Sequence, residues 1–424
     1  VSRRVARRLI QTALCGSAAW IALVLAALGW PALAGAQSPP QLEVSAAALY
    51  APQTGQMLFG LEDQRELAIA STTKLMTALI TLQHVHHLGT VFTQNDWYPA
   101  AEDSQLGLDP GDRMSVHDLL LAMMLPSADD AAEDLADNVG RGSVARFVAM
   151  MNAEAALLGL RHTHYSTPIG LDTPGNYSTA SDLVRLAAYD LSHSAYFARI
   201  VALPGAVLHT GPVGYVANRN DLVGRVPWID GVKTGHTGDA GYVLVASGER
   251  NGMKLISAVL GTSSEQARDA NTLALLGYGF EDFSLRTVVR AGEVLARPRV
   301  NERPGARAQL VAASTYARVL PRDAPVRVEV RAARHVTGPL PARAVLGTAT
   351  VIDGTRTIAQ LPLVLARALP KVSGLTIAAR FITRPLALAC IGVLVALGVG
   401  ARSVRVRSGR RRSSRISNAE LDAT

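Results

Sequence analysis

Cysteine is nearly absent. Cys15 and Cys390 are the two in 424 residues, and neither falls between residues 37 and 383. The middle of the chain therefore carries no disulfide, and a domain of that size can hold a core without one. Acid is missing altogether from residues 1–36, which contain Arg3, Arg4, Arg7 and Arg8, and residues 384–424 hold eight arginines against Glu420 and Asp422. The net charge of +8 is thus a property of the two ends, since residues 37–383 hold 30 Lys and Arg against 32 Asp and Glu, net −2. A nucleic-acid-binding reading needs basic charge on a folded face and is excluded on this distribution. No internal repeat is visible. Histidine is scarce too, ten in all, and neither His84, His86 and His87 nor His162 and His164 have zinc-ligand spacing with acids. No metal and no cofactor is expected.

What is present in excess is apolar sequence, 49% of residues against 18% charged, and part of that excess collects at the ends. Four arginines followed by an apolar stretch from Ala13 to Leu33, and small residues at Ala32 to Ala36, fit a secretory signal over residues 1–36. Pro385 to Ala401 is a charge-free apolar run of 17 residues followed by seven arginines from Arg402 to Arg415. That pattern predicts a transmembrane helix over 385–401 and a basic cytoplasmic tail over 402–424, with everything before Arg384 outside. Residues 371–384 form the linker.

Between the ends, residues 37–283 mix strand-like and helix-like stretches, which predicts an α/β (α+β) domain. Leu42–Tyr50 and Gln56–Gly60 read as a strand pair, and Ser71 to about Val85 reads as a helix with Leu75, Leu79 and Leu82 on one face. Ser115 with Asp118 three residues on, and Pro126 beyond, frames a second helix. Residues 144–158 and 179–190 also read as helical. Gly241–Gly248 and Met253–Leu260 are β-rich runs split by Glu249-Arg250-Asn251-Gly252, a hairpin signal. Residues 284–370 carry short valine-rich runs broken by Pro and Gly, predicting a small all-β domain.

Three short motifs carry chemistry. In Ser71-Thr72-Thr73-Lys74 the lysine lies one helical turn from the serine, close enough to take its proton, provided burial or nearby positive charge lowers its pKa. Ser127-Ala128-Asp129 follows a helix end and offers a hydroxyl for proton relay, although alone it looks like any polar loop. Lys233-Thr234-Gly235 precedes the β-rich run, where a strand edge with Lys and Thr can hold a carboxylate-bearing peptide and glycine permits close approach. Each motif alone is weak; their order and spacing are not.

S-x-x-K, then S-x-N, then K-T-G is the constellation of penicillin-binding proteins and serine β-lactamases. Ala70 to Ala78 resembles the nucleophile segment of low-molecular-mass penicillin-binding proteins, the D-Ala-D-Ala carboxypeptidases. So do Gly170-Leu171-Asp172, Tyr177 to Ala180, Asn218-Arg219-Asn220 and Asp230 to Thr237. The resemblance covers residues 42–283, and more faintly Gly338–Val364. It implies a penicillin-binding, β-lactamase-like transpeptidase domain that removes the terminal D-Ala from peptidoglycan stem peptides, is acylated by β-lactam antibiotics, and works outside the cytoplasmic membrane. By the same resemblance Ser71 is the nucleophile, Lys74 its base, and Ser127 and Lys233 pass the proton to the departing D-Ala. The N–H groups of Ser71 and His236 form the oxyanion hole, while Thr234 and Arg268 hold the terminal carboxylate. Two departures stand out: Asp129 replaces the usual Asn of the middle triplet, and Thr167 precedes Pro168 where Asn is common. A β-lactamase would need an E-x-x-L-N segment that is missing between Asp130 and Lys233. A catalytically weak penicillin-binding or wall-binding structural protein is the other alternative, and Asp129 is what keeps it open.

Overall fold

The computed structural model describes residues 38–371 except 101, 102, 302 and 304, and beyond them residues 374, 385 and 388–403. The signal expected over residues 1–36, most of the linker and nearly all of the basic tail lie outside these residues. Residues 388–403 are helical. Among the described residues no helix is long and apolar enough to cross a membrane.

The described chain divides into two compact units, one running to Arg286 and taking back 317–324, the other formed by 287–316 and the residues from Pro325 on. The first is built on a five-stranded antiparallel sheet of β1 (Ala46–Ala51), β2 (Gln56–Leu61), β3 (Ile229–Thr237), β4 (Gly241–Arg250) and β5 (Met253–Thr262), in the order β2-β1-β5-β4-β3. Asn251 and Gly252, with φ of 52° and 75°, make the two-residue turn between β4 and β5. Inner strands are buried on both faces: Val243 and Val245 face one core cluster, Leu244 and Ala246 the other. For this reason they read in the sequence as continuous apolar runs rather than as alternation.

The helices do not alternate with the strands. Apart from the four-residue turn Leu222–Arg225, six of them fill the excursion between β2 and β3: α1 (Lys74–His84), α2 (Val116–Met124), α3 (Asp129–Val139), α4 (Val144–Leu157), α5 (Ala180–His193) and α6 (Ala195–Val201). α7 (Glu265–Asp282) follows β5 and covers the opposite face with Leu275, Leu276 and Phe280. The expected cap is present, with Ser115 Oγ accepting from Asp118 N at 3.1 Å. Ser143, Thr179 and Ser264 cap α4, α5 and α7 likewise. Of the polar stretch after Pro126, Ser127 and Ala128 form the connecting turn, while Asp129 already begins α3.

The second unit holds a five-stranded antiparallel sheet of β6 (Val294–Ala296), β7 (Leu310–Ala312), β8 (Val326–Ala332), β9 (Val345–Asp353) and β10 (Arg356–Leu365), ordered β6-β7-β10-β9-β8. Its own core gathers Leu310, Ala349, Val351, Leu361 and Leu363.

Candidate active site

The serine of the first motif does not start an α-helix. Ala70–Thr73 form a 3₁₀ turn that leads into α1 at Lys74. Three residues per turn set Ser71 and Lys74 in line, closer than α-helical spacing would. Lys74 Nζ lies 2.9 Å from Ser71 Oγ, 2.5 Å from Asp129 Oδ1 and 2.8 Å from the carbonyl oxygen of Ile169. An ammonium would use all three protons here; a neutral amine can donate to Asp129 and Ile169 and turn its lone pair to the Ser71 hydroxyl. The lysine is fully buried. Burial pulls its pKa below the ordinary value, and the Asp129 carboxylate opposes that shift. Burial likewise pushes Asp129 upward while Lys74 holds it down.

The middle motif turns sharply at Ser127, whose φ of 71° is unusual for a residue with a Cβ. Ser127 Oγ is buried with no partner within the described protein. Asp130 cannot stand in for Asp129, because its carboxylate accepts from the backbone N–H groups of Leu106, Gly107, Leu108 and Ala131.

The third motif lies on β3, at the free edge of the sheet. Lys233 is buried, and its Nζ donates to the Thr234 carbonyl at 3.0 Å. Burial, then the charges of Lys74 and Arg219, depress its pKa well below the usual lysine value. A Cβ on Gly235 would come within 2.9 Å of Ser71 N, so this glycine lets β3 close on the 3₁₀ turn that carries Ser71. His236 is exposed and tilts against Tyr242 with ring centroids 4.0 Å apart. Arg268 is buried on α7, with Nε donating to Asp269 Oδ1 at 2.9 Å, and its charge is among those that depress Lys233.

A fourth segment completes the site. The Pro168 carbonyl accepts from Thr77 Oγ1 at 2.6 Å, and that of Ile169 accepts from Lys74. Gly170, at φ 95°, presses on Ala70 so closely that a Cβ would meet its carbonyl oxygen at 2.1 Å. Asp172 then accepts from Thr237 Oγ1 at 2.6 Å and from Asp239 N at 2.9 Å, tying the segment to the end of β3. Thr167 Oγ1 accepts from Gly170 N at 2.9 Å, so the threonine supports this turn in place of an asparagine. The Ile169 carbonyl is not legible in the sequence because any residue supplies one. Arg219, whose charge lowers both lysines, lies within the Asn218-Arg219-Asn220 stretch, to which the sequence assigns no role.

A family profile described as D-alanyl-D-alanine carboxypeptidase matches residues 34–264. The D-alanyl-D-alanine carboxypeptidase DacA of Escherichia coli is 30% identical over 361 residues, covering 78% of this chain and 85% of that protein. DacF of Bacillus subtilis is 29% identical over 269 residues, covering 61% and 68% respectively. Among solved structures, penicillin binding protein 5 from Haemophilus influenzae superposes with a TM-score of 0.65 at 28% identity, over 79% of this chain and 99% of that one.

Proposed function

The chain belongs to the D-alanyl-D-alanine carboxypeptidase family of serine peptidases, and on that footing we propose that Ser71, Lys74 and Ser127 perform the reaction at the edge of β3. The observation that carries this reading is the 2.9 Å approach of a fully buried lysine amine to the Ser71 hydroxyl. Lys74 takes the Ser71 proton as Oγ attacks the carbonyl carbon of the penultimate D-Ala of a stem peptide. The N–H groups of Ser71 and His236 stabilise the oxyanion. When the C–N bond breaks, Ser127 and Lys233 help pass that proton from Lys74 to the departing D-Ala amine, which leaves Lys74 neutral. Water then attacks the carbonyl carbon of the acyl-enzyme, Lys74 again takes the proton and returns it to Ser71 Oγ as the ester bond breaks, and a peptide one D-Ala shorter leaves.

The peptide lies along the free edge of β3 as an added strand, with its terminal carboxylate between Thr234 and Arg268. Gly235 keeps that edge against the nucleophile turn. A β-lactam acylates Ser71 by the same first step.

The apolar run 385–401 with its arginine-rich sequel anchors the protein in the cytoplasmic membrane, the signal over 1–36 exports it, and residues 37–283 and 284–370 act outside. A fluorescent penicillin should label the protein covalently and Ser71→Ala should abolish labelling. The test of substrate is release of D-Ala from a pentapeptide ending in D-Ala-D-Ala. An adduct mapped by mass spectrometry to Ser127 would overturn these roles.

A further inference from the structure

The two units carry opposite charge, which the near-neutral sum over residues 37–383 conceals. Residues 38–286 with 317–324 hold 17 Lys and Arg against 28 Asp and Glu, net −11; residues 287–316 with 325–371 hold 12 against 4, net +8. All twelve cations of the second unit are exposed. Among the described residues only Arg327 of these twelve pairs with an acid, Glu329, at 3.3 Å.

Arg327 and Arg356 lie at the far end of the β8–β9–β10 ladder, but several of the other cations gather at the end where β10 finishes. Arg299 sits opposite His335 in a short parallel ladder and opposite Arg307 across an isolated bridge. Its N–H donates to the Arg334 carbonyl at 3.0 Å. Arg307 and Arg367 line one cavity of about 310 Å³. Arg297 and Arg303 flank the same stretch, where Glu302 is the one acid between residues 297 and 307. The chain leaves the unit at this end too. β10 finishes at Leu365, the Ala366 N–H is held by the Gln309 carbonyl at 2.9 Å, and Leu369 pairs with Leu340.

What the chain does next selects the partner. Thirteen residues, 372–384, separate this end from the apolar run at Pro385, a reach of no more than about 45 Å when fully extended. We infer that the arginine-rich end formed by Arg299, Arg307, Arg334 and Arg367 rests on anionic phospholipid headgroups of the membrane that holds residues 385–401. The inference depends on the anchor proposed above. Guanidinium groups bind phosphate oxygens in pairs, and each cation at such a surface strengthens adsorption roughly five-fold. The anchor sets the distance, and the arginines turn proximity into contact.

The experiment uses the full chain with a specific protease site placed in residues 372–384, reconstituted into vesicles of phosphatidylcholine alone or with about a third phosphatidylglycerol. Flotation before cleavage tests the anchor by itself. If the chain fails to float with either vesicle, the anchor reading falls and this inference with it. After cleavage the released portion should leave the neutral vesicles, stay on the anionic ones, and come off the latter in about 0.5 M salt. Changing Arg299, Arg307, Arg334 and Arg367 together to Gln should lower retention by about 10²-fold or more. The corresponding Lys variant should be retained, and both should release D-Ala as the unaltered chain does, which shows that they fold. Equal release from the two lipids, or retention of the Gln variant, would overturn the inference. So would sedimentation with an anionic wall polymer in place of vesicles, which would make the wall the partner.

Discussion

Lys74 Nζ and Asp129 Oδ1 lie 2.5 Å apart, with the lysine side chain wholly buried and the carboxylate nearly so. An asparagine at position 129 would accept from the lysine and also donate to a substrate carbonyl; an ionised aspartate only accepts. Burial lowers the lysine pKa and Asp129 works against it. The pair therefore holds Lys74, the proposed base, closer to its ammonium form than burial alone would. Asp129→Asn should raise penicillin acylation and D-Ala release near neutral pH by as much as roughly 10²-fold. The rising limb of the pH profile should move to lower pH. Unchanged or reduced rates would show that the carboxylate is suited to this enzyme's own substrate.

Arg219 bears on the same equilibrium from the opposite side, since its positive charge lowers both Lys74 and Lys233. Arg219→Gln should move the acylation limb toward higher pH and slow the reaction at neutrality. A shift in the pH profile separates this from a purely structural loss, which would lower the rate equally at every pH. The check is kcat/KM measured across pH.

Two glycines set the approach of neighbouring segments to the 3₁₀ turn of Ser71. Gly235→Ala would place a Cβ 2.9 Å from Ser71 N. Displacing the 3₁₀ turn to make room should slow penicillin labelling severely and destabilise the unit by about 1–3 kcal/mol. Gly170→Ala combines a 2.1 Å clash with a φ of 95° and should lower the melting temperature more. Thermal melts and labelling rates of both variants give the comparison.

Glu133 and Asp134 on α3 are both buried acids pushed up to about 7, by burial first and by Asp137 second. Their folded pKa values exceed their unfolded ones, so the folded state binds more protons between about pH 4 and pH 7. Stability should accordingly fall as pH rises through that window and level off above it. Glu133→Gln with Asp134→Asn should flatten the dependence. Denaturant melts at pH 5 and pH 7.5 decide it, and an unaltered slope in the double variant would refute the assignment.

The sequence by itself singled out the three motifs proposed to carry the chemistry, because they are local patterns whose order along the chain is readable. It also determined the Ser115 cap and the Asn251-Gly252 hairpin, both set by contacts between near neighbours. Only the tertiary structure decided that α1 is preceded by a 3₁₀ turn, that β3 is an edge strand, and that the Ile169 carbonyl reaches Lys74 across 95 residues. It also decided that Asp129 faces Lys74 while Asp130 is held by backbone amides. These depend on which segments meet when the sheet closes, and a backbone carbonyl or a buried charge leaves no mark on local sequence. The opposite charges of the two units are legible along the sequence once it is divided near residue 286, and only the total over the middle, where they cancel, conceals them.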